Sequence, residues 1–330
     1  MNKQPFILYS YVLDERGGGT SLGANFELQG IVNPYWVHLD ATSPDTNHFL
    51  KHSMALPPHV VDGLLADESR PRCDVFDNGI LIILRGVNLN PGANPEDMVS
   101  LRIWLEENRV ITTRFRRIMA VEDIVHQLQE GVGPTSTGHL VARLGARLTE
   151  RMTPLISQLE DEMGELEERL LESESHQEKD LNVLRSDLVR IRRLTIALRR
   201  FLSPQRMALV TLSNASADTP WMSQAVTGRF RDVTDRATRI TEDLDEARDR
   251  CAVSQDEIAV RLSEKTNRTI YVLTLVSAVM LPLGFLTGLL GVNVAGIPGA
   301  EFPKAFWIFC GLLAAIVALE LWFFRRKKWL

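Results

Sequence analysis

Residues Ile270–Leu290 read IYVLTLVSAVMLPLGFLTGLL, Gly291–Lys304 read GVNVAGIPGAEFPK, and Ala305–Phe324 read AFWIFCGLLAAIVALELWFF. A bilayer core of about 30 Å needs roughly 20 apolar helical residues. Both outer stretches have that length, and the one charged side chain within them is Glu320. The expected molecule is a large polar body carrying one membrane hairpin near its C-terminus. The competing reading is a pair of buried core helices in a soluble protein. It must explain two such stretches in succession, each with a basic flank. Two helices alone cannot enclose a pore, so any transport role would require several copies of the chain.

The flanks set an orientation. Arg261, Lys265 and Arg268 precede the first span, and Arg325, Arg326, Lys327 and Lys328 follow the second. The loop between them has Glu301 and Lys304 as its charges. The positive-inside rule puts both ends in the cytoplasm and the loop outside. Trp307, Trp322 and Trp329 lie near span ends, where aromatic side chains anchor at the interface.

The bulk numbers are those of a soluble protein. The 330 residues are 45% hydrophobic and 24% charged, and the mean hydropathy of -0.04 hides the membrane part. A net charge of -5 argues against a nucleic-acid partner. Cys73, Cys251 and Cys310 are far apart and form no CxxC pair, which fits a reducing cytoplasm. Met1–Leu13 lacks the basic-then-apolar build of a signal peptide.

Residues 1–135 read as a cytoplasmic α/β domain. Phe6–Leu13, Tyr35–Leu39 and Ile80–Val87 have strand character, the last following the turn signal Asp77-Asn78-Gly79. Val99–Leu105 and Arg109–Phe115 flank a hairpin turn, and Leu56–Leu65 and Ala120–Glu130 have helical character. Residues 136–220 read as a cytoplasmic helical hairpin. Leu140, Leu144, Leu148, Leu155, Leu159, Leu166 and Leu170 keep to one face of its first helix. That helix ends acidic (Glu160 to Glu174), and the next is basic (Arg185 to Arg200). The acids either pair with those arginines or form a negative surface that concentrates cations. Ser203–Pro220, bounded by prolines 204 and 220, reads as a loop.

Residues 221–269 read as a stalk helix. Phe230, Val233, Ala237, Ile240, Leu244, Ala247, Cys251, Ser254 and Ile258 alternate steps of three and four. That is a heptad seam, and its small residues suit packing on a neighbouring helix or around a symmetry axis. No helix stop falls between Trp221 and Met280, so stalk and first span form one helix of roughly 100 Å at 1.5 Å per residue. The span occupies residues 270–290, the external loop 291–304, the second span 305–324 and a basic cytoplasmic tail 325–330.

One face of the first span carries Ile270, Leu273, Ser277, Leu281, Gly284 and Gly288. It turns from apolar to small toward the outside, which lets backbones approach and leaves carbonyls available. Gly291-Val292-Asn293 follows. A ring of Asn293 amide oxygens contacts a hydrated cation without stripping its water.

A Gly-x-Asn triplet between two C-terminal spans, a long charged helix before it, and Lys327-Lys328-Trp329-Leu330 at the end resemble the CorA metal-ion transporter family. The resemblance implies a funnel-shaped homopentamer in a bacterial inner membrane, with the first span lining the pore. It assigns Gly291, Val292 and Asn293 to the selectivity mouth and the six-residue face to the pore wall. The magnesium-transporting branch typically has Gly-Met-Asn. Val292 and the loop after it are similar to the zinc-transporting, ZntB-like branch, which implies Zn²⁺ uptake coupled to protons. The metal is then cargo, and no resident cofactor is expected. The alternatives are a Mg²⁺/Co²⁺ channel and a membrane-anchored metal sensor or scaffold. No nucleophile elbow, phosphate loop or metal-ligand cluster points to an enzyme.

Zinc is chemically awkward here, because tight zinc sites use Cys, His and carboxylates. The membrane part has no His, and its one Cys is Cys310. The expectation is an ion that crosses largely hydrated. Glu301 either forms an external anionic ring that attracts cations or neutralises Lys304. His48 and His52, spaced i, i+4, are the candidate cytoplasmic metal ligands. No Asp, Glu, Lys, Arg or His lies in 270–290, so proton coupling is expected to use Glu301, cytoplasmic acids or water.

Overall fold

Alternation of large apolar side chains builds a seven-stranded sheet in the computed structural model of the protein, which describes residues 6–23, 31–67, 70–171, 178–292 and 302–327. The strands are β1 (Ile7–Leu13), β2 (Gly19–Ser21), β3 (Tyr35–Asp40), β4 (Arg72–Phe76), β5 (Gly79–Gly86), β6 (Val99–Leu105) and β7 (Arg109–Arg114). Their order is β2-β1-β3-β7-β6-β5-β4. β3 and β7 pair in parallel from Tyr35 opposite Arg109 to Asp40 opposite Arg114. The other neighbours are antiparallel.

Period-two side chains divide the sheet between two cores. Ile80, Ile82, Leu84, Leu101, Ile103 and Leu105 point to one of them. Leu81 and Trp104 point to the other. Burial on both faces explains why β5 reads as an unbroken apolar run. The second core is closed by a π-helical turn at Phe49–Ser53, which follows the short α1 (Pro44–His48), and by α2 (Pro58–Leu65). The first is closed by α3 (Met119–Gln129), α4 (Thr137–Glu150) and parts of two long helices, α6 (Glu178–Asp218) and α7 (Gln224–Leu290).

Two local expectations need correction. The leucine face expected to run through one helix is divided between α4 and α5 (Thr153–Leu171). Pro154 cannot donate to a preceding turn, so it is accommodated in the first turn of a new helix. The register shifts there: Leu155 is half-buried and Ile156 takes the core position. Ser203–Pro220 is not a loop, because α6 continues through Pro204 to Asp218. A helical proline costs about 3 kcal/mol. Leu198, Leu202, Leu209 and Leu212 stay buried across it, and burying such side chains gives about 1.5–3 kcal/mol each. Packing therefore outweighs the proline.

All nine residues of the heptad seam, Phe230 to Ile258, are buried within the single chain. The thiol of Cys251 lies 3.7 Å from the sulfur of Met163 on α5. The seam is therefore used on neighbouring helices of the same chain, not on a symmetry axis. The acidic stretch of α5 is partly neutralised, but by two partners. Glu162 pairs with Arg190 of α6 at 2.8 Å, and Glu167 pairs with Arg250 of α7 at 2.5 Å. Glu160 faces Asp243 and Glu246 instead. Burial first, then those like charges, hold its carboxyl above the usual range. Pairing and a residual negative patch coexist.

The chain divides into two compact units. The larger contains the sheet, α1 to α5, α6 from Asn182 and α7 as far as Gln255. The smaller contains the start of α6, α7 from Asp256, and α8 (Ala305–Arg326).

His139 on α4 gives the larger unit an acid sensitivity. Burial, with Arg229 and Arg143 alongside, pushes it down to about 4. Its Nδ1 accepts the Thr135 N–H at 3.2 Å, which a proton there would displace. The unfolded chain takes up that proton near 6.5, so the contribution is complete above 6.5 and is lost as pH falls toward 4. Between pH 6.5 and 5 the loss is about 2 kcal/mol. Denaturation curves should therefore fall more steeply with acid for the wild type than for His139→Gln. Parallel curves would remove His139 from the account.

Candidate functional site

The site is built on the last 21 residues of α7. Hydroxyls that would be costly in lipid are returned to the helix itself. Thr274 donates to the Ile270 carbonyl at 2.8 Å, and Thr287 to the Leu283 carbonyl at 2.8 Å. Pro282 sits inside the helix. Lacking an N–H, it leaves the Ala278 carbonyl without its usual partner. The helix closes where the Gly291 N–H donates to the Thr287 carbonyl at 2.9 Å.

Coverage by the rest of the smaller unit is one-sided. Within residues 270–290 of α7 the half-buried ones are Leu275, Val279, Pro282, Leu283 and Leu286, a single stripe. On α8 a matching stripe runs through Ala305, Phe309, Leu313, Ile316, Glu320 and Phe324. At 3.6 residues per turn, the face Ile270, Leu273, Ser277, Leu281, Gly284 and Gly288 lies roughly 180° from the α7 stripe. All six of its residues are exposed in the single chain. A Cβ added at Gly284 or Gly288 would meet nothing within 4 Å. That face is open, smooth and uncharged. Gly291 and Val292 follow it directly, both exposed. Asn293 and Glu301 lie outside the described residues.

The histidine pair is brought together: the rings of His48 and His52 are 4.4 Å apart between centroids, on exposed side chains. No group of three or more His, Cys, Asp or Glu suited to a metal occurs among the described residues. His59 packs at a tilt against Phe76 instead, with ring centroids 4.7 Å apart. His38 is fully buried, with its Nδ1 2.8 Å from the Thr112 hydroxyl.

Sequence reasoning missed one residue. It looked for a proton-carrying group in the first span, noted Glu320 in the second and gave it no role. Glu320 lies on the covered stripe of α8, about one turn before its last residue, Phe324. Its Oε2 is shut from solvent and has no hydrogen-bond partner among the described residues. Ionisable side chains within spans are rare and mark ion or proton pathways. The signal was present: a lone acid in a 20-residue apolar stretch.

Among the described residues, α7 and α8 are the two helices that meet the length and hydropathy of membrane spans, and none of either span's window is buried inside the molecule. Comparison with known proteins agrees. The family model described as "CorA-like Mg2+ transporter protein" matches residues 33–326. The chain is 38% identical over 328 residues to the divalent cation transporter CmaX of Pseudomonas aeruginosa, covering 98% of this chain and 97% of that one. It is 35% identical over 323 residues to the zinc transport protein ZntB of Yersinia pseudotuberculosis serotype O:1b, covering 98% and 96%. The solved structure of a full-length CmaX protein superposes with a TM-score of 0.81 at 36% identity, over 99% of both chains. A mixed sheet, long helices and two terminal apolar helices in one chain, with these relatives over nearly its whole length, make it a member of the CorA-like transporter family and not an enzyme.

Proposed function

We propose that the protein carries divalent metal cations, with Zn²⁺ the preferred cargo, into the cytoplasm across a bacterial inner membrane. Five copies surround one axis as a funnel. Each contributes the open α7 face as pore wall and Gly291, Val292 and Asn293 as the mouth. Both termini are cytoplasmic, as the basic flanks require. The observation that carries this reading is the uncharged face of α7, opposite the side covered within the chain and leading straight to Gly291. Such a wall offers zinc no ligands, so the ion crosses with most of its water. Glu301 draws cations to the mouth. His48 and His52 bind metal on the cytoplasmic side. Uptake is coupled to protons, and the Glu320 carboxyl carries the proton.

Zinc is favoured by Val292 in place of Met and by a relative named as a zinc transporter. A Mg²⁺/Co²⁺ channel is the second reading, favoured by the description of the matching family model. The test is metal flux into proteoliposomes, Zn²⁺ against Mg²⁺, with and without an inward-acid pH gradient. Zinc uptake accelerated by the gradient is expected. Voltage-driven Mg²⁺ uptake indifferent to pH would establish the second reading. No flux of either ion from a folded oligomer would make the hairpin an anchor for a sensor or scaffold.

A further inference from the structure

A cleft of about 610 Å³ lies in the larger unit, far in sequence from the spans. α6 gives it Arg193, Ala197, Arg200 and Phe201, one helical face. The sheet and the segment after β7 add Arg85, Arg102, Phe115 and Arg116. Five guanidinium groups thus meet three carboxylates, those of Asp67, Glu96 and Asp97.

These arginines are positioned by neutral groups. The Arg85 guanidinium stacks 4.1 Å above the Phe201 ring and donates to the Met98 carbonyl at 3.2 Å. Arg102 stacks 4.6 Å above Phe115 and donates to the carbonyls of Ala66 and Asp67 at 2.5 and 2.9 Å. Arg102 is 1% exposed, yet its Nε has no partner among the described residues. Burial, and then the charge of Arg85, push Arg102 down to about 10, so it stays cationic at neutral pH. Two other arginines of α6 are paired, Arg190 with Glu162 and Arg199 with Asp245. Among the described residues Arg116, Arg193 and Arg200 have no ion pair.

We propose that this cleft binds a phosphate-bearing anion. Guanidinium forks match phosphate oxygens in pairs, and stacking on aromatic rings holds each fork in a fixed plane. The buried Arg102 Nε is a donor without an acceptor, and buried donors are ordinarily satisfied. Five cations across this volume suit a group with several negative oxygens. A diphosphate on a soluble molecule and the headgroup of an anionic lipid share that chemistry.

The test uses the full-length protein in neutral detergent with a metal chelator present. Inorganic pyrophosphate is titrated calorimetrically into the wild type, R193Q/R200Q and R193K/R200K. Both positions are exposed on α6, and circular dichroism checks that the variants fold. Saturable binding is expected, weakened about tenfold or more in the glutamine variant and partly restored by lysine. In a second arm, thermal unfolding is followed in phosphatidylcholine nanodiscs with and without phosphatidylglycerol. Stabilisation by phosphatidylglycerol that the glutamine variant loses, without pyrophosphate binding, would identify the ligand as a lipid headgroup. No binding in either arm, or binding undiminished in R193Q/R200Q, would overturn the proposal.

Discussion

Gly291→Ala is expected to cut zinc flux in proteoliposomes about tenfold or more, equivalent to at least about 1.4 kcal/mol on the barrier. A Cβ at this position would stand 2.8 Å from the Thr287 carbonyl oxygen. That oxygen accepts the Gly291 N–H that closes α7. The contact involves backbone on both sides, so no side chain can rotate away. The end of the helix must shift, and Val292 and Asn293 shift with it. In an assembly the same displacement is repeated in every copy around one ring. Asn293→Ala tests the neighbouring position differently, removing the amide without adding bulk. Similar losses in both variants, with the oligomer intact by size-exclusion chromatography, would support a mouth at this place. Wild-type flux in both would remove Gly291 and Asn293 from the mouth and place the constriction elsewhere.

The second large effect is expected at Glu320. In Glu320→Gln, acceleration of zinc uptake by an inward-acid gradient should disappear, while flux without a gradient stays within about twofold of wild type. Glutamine keeps the shape of the side chain and cannot take up or release a proton. The first span contains no acid, base or histidine to do this work. Glu320 lies on the covered stripe of α8, with Oε2 out of reach of solvent and of any donor among the described residues. A carboxyl in such a place inside a span is a natural proton carrier. Undiminished acceleration in the variant would move the coupling to Glu301, to cytoplasmic acids or to water. Loss of flux under all conditions would point to a structural role instead.

The parts of the fold governed by local periodicity were legible. The turn at Asp77-Asn78-Gly79, the hairpin between β6 and β7, and the heptad seam all follow from side-chain spacing along one element. Features decided by packing between distant segments were not. β4 is an edge strand whose pattern carries little apolar signal, with Arg72 and Val75 exposed. Pro204 signals a break to any local reading, and only the buried leucines on either side override it. The same division holds at the site. The triplet and the small-residue face can be read from α7 alone. That this face is the one turned away from the covered stripe requires both helices. The enclosure of Glu320 depends on its surroundings, and the arginine cleft gathers residues from Asp67 to Phe201 that no motif unites.

The core that joins Tyr11 and Leu13 of β1 to Phe230, Val233 and Ala237 of α7 also sets an order of events during synthesis. At 5–20 residues per second, the roughly 230 residues separating those partners take on the order of 10–50 seconds to emerge. During that time one face of the sheet has no helices to cover it from α6 and α7. When Ala237 finally arrives, the first apolar span is close behind, so burial of the sheet and delivery to the membrane nearly coincide. A nascent chain paused before α6 would cover that face with α3 and α4 alone, and the uncovered remainder would need a chaperone. A soluble fragment cut before α7 would lack the cover of Val226, Phe230, Val233 and Ala237 for good and should aggregate.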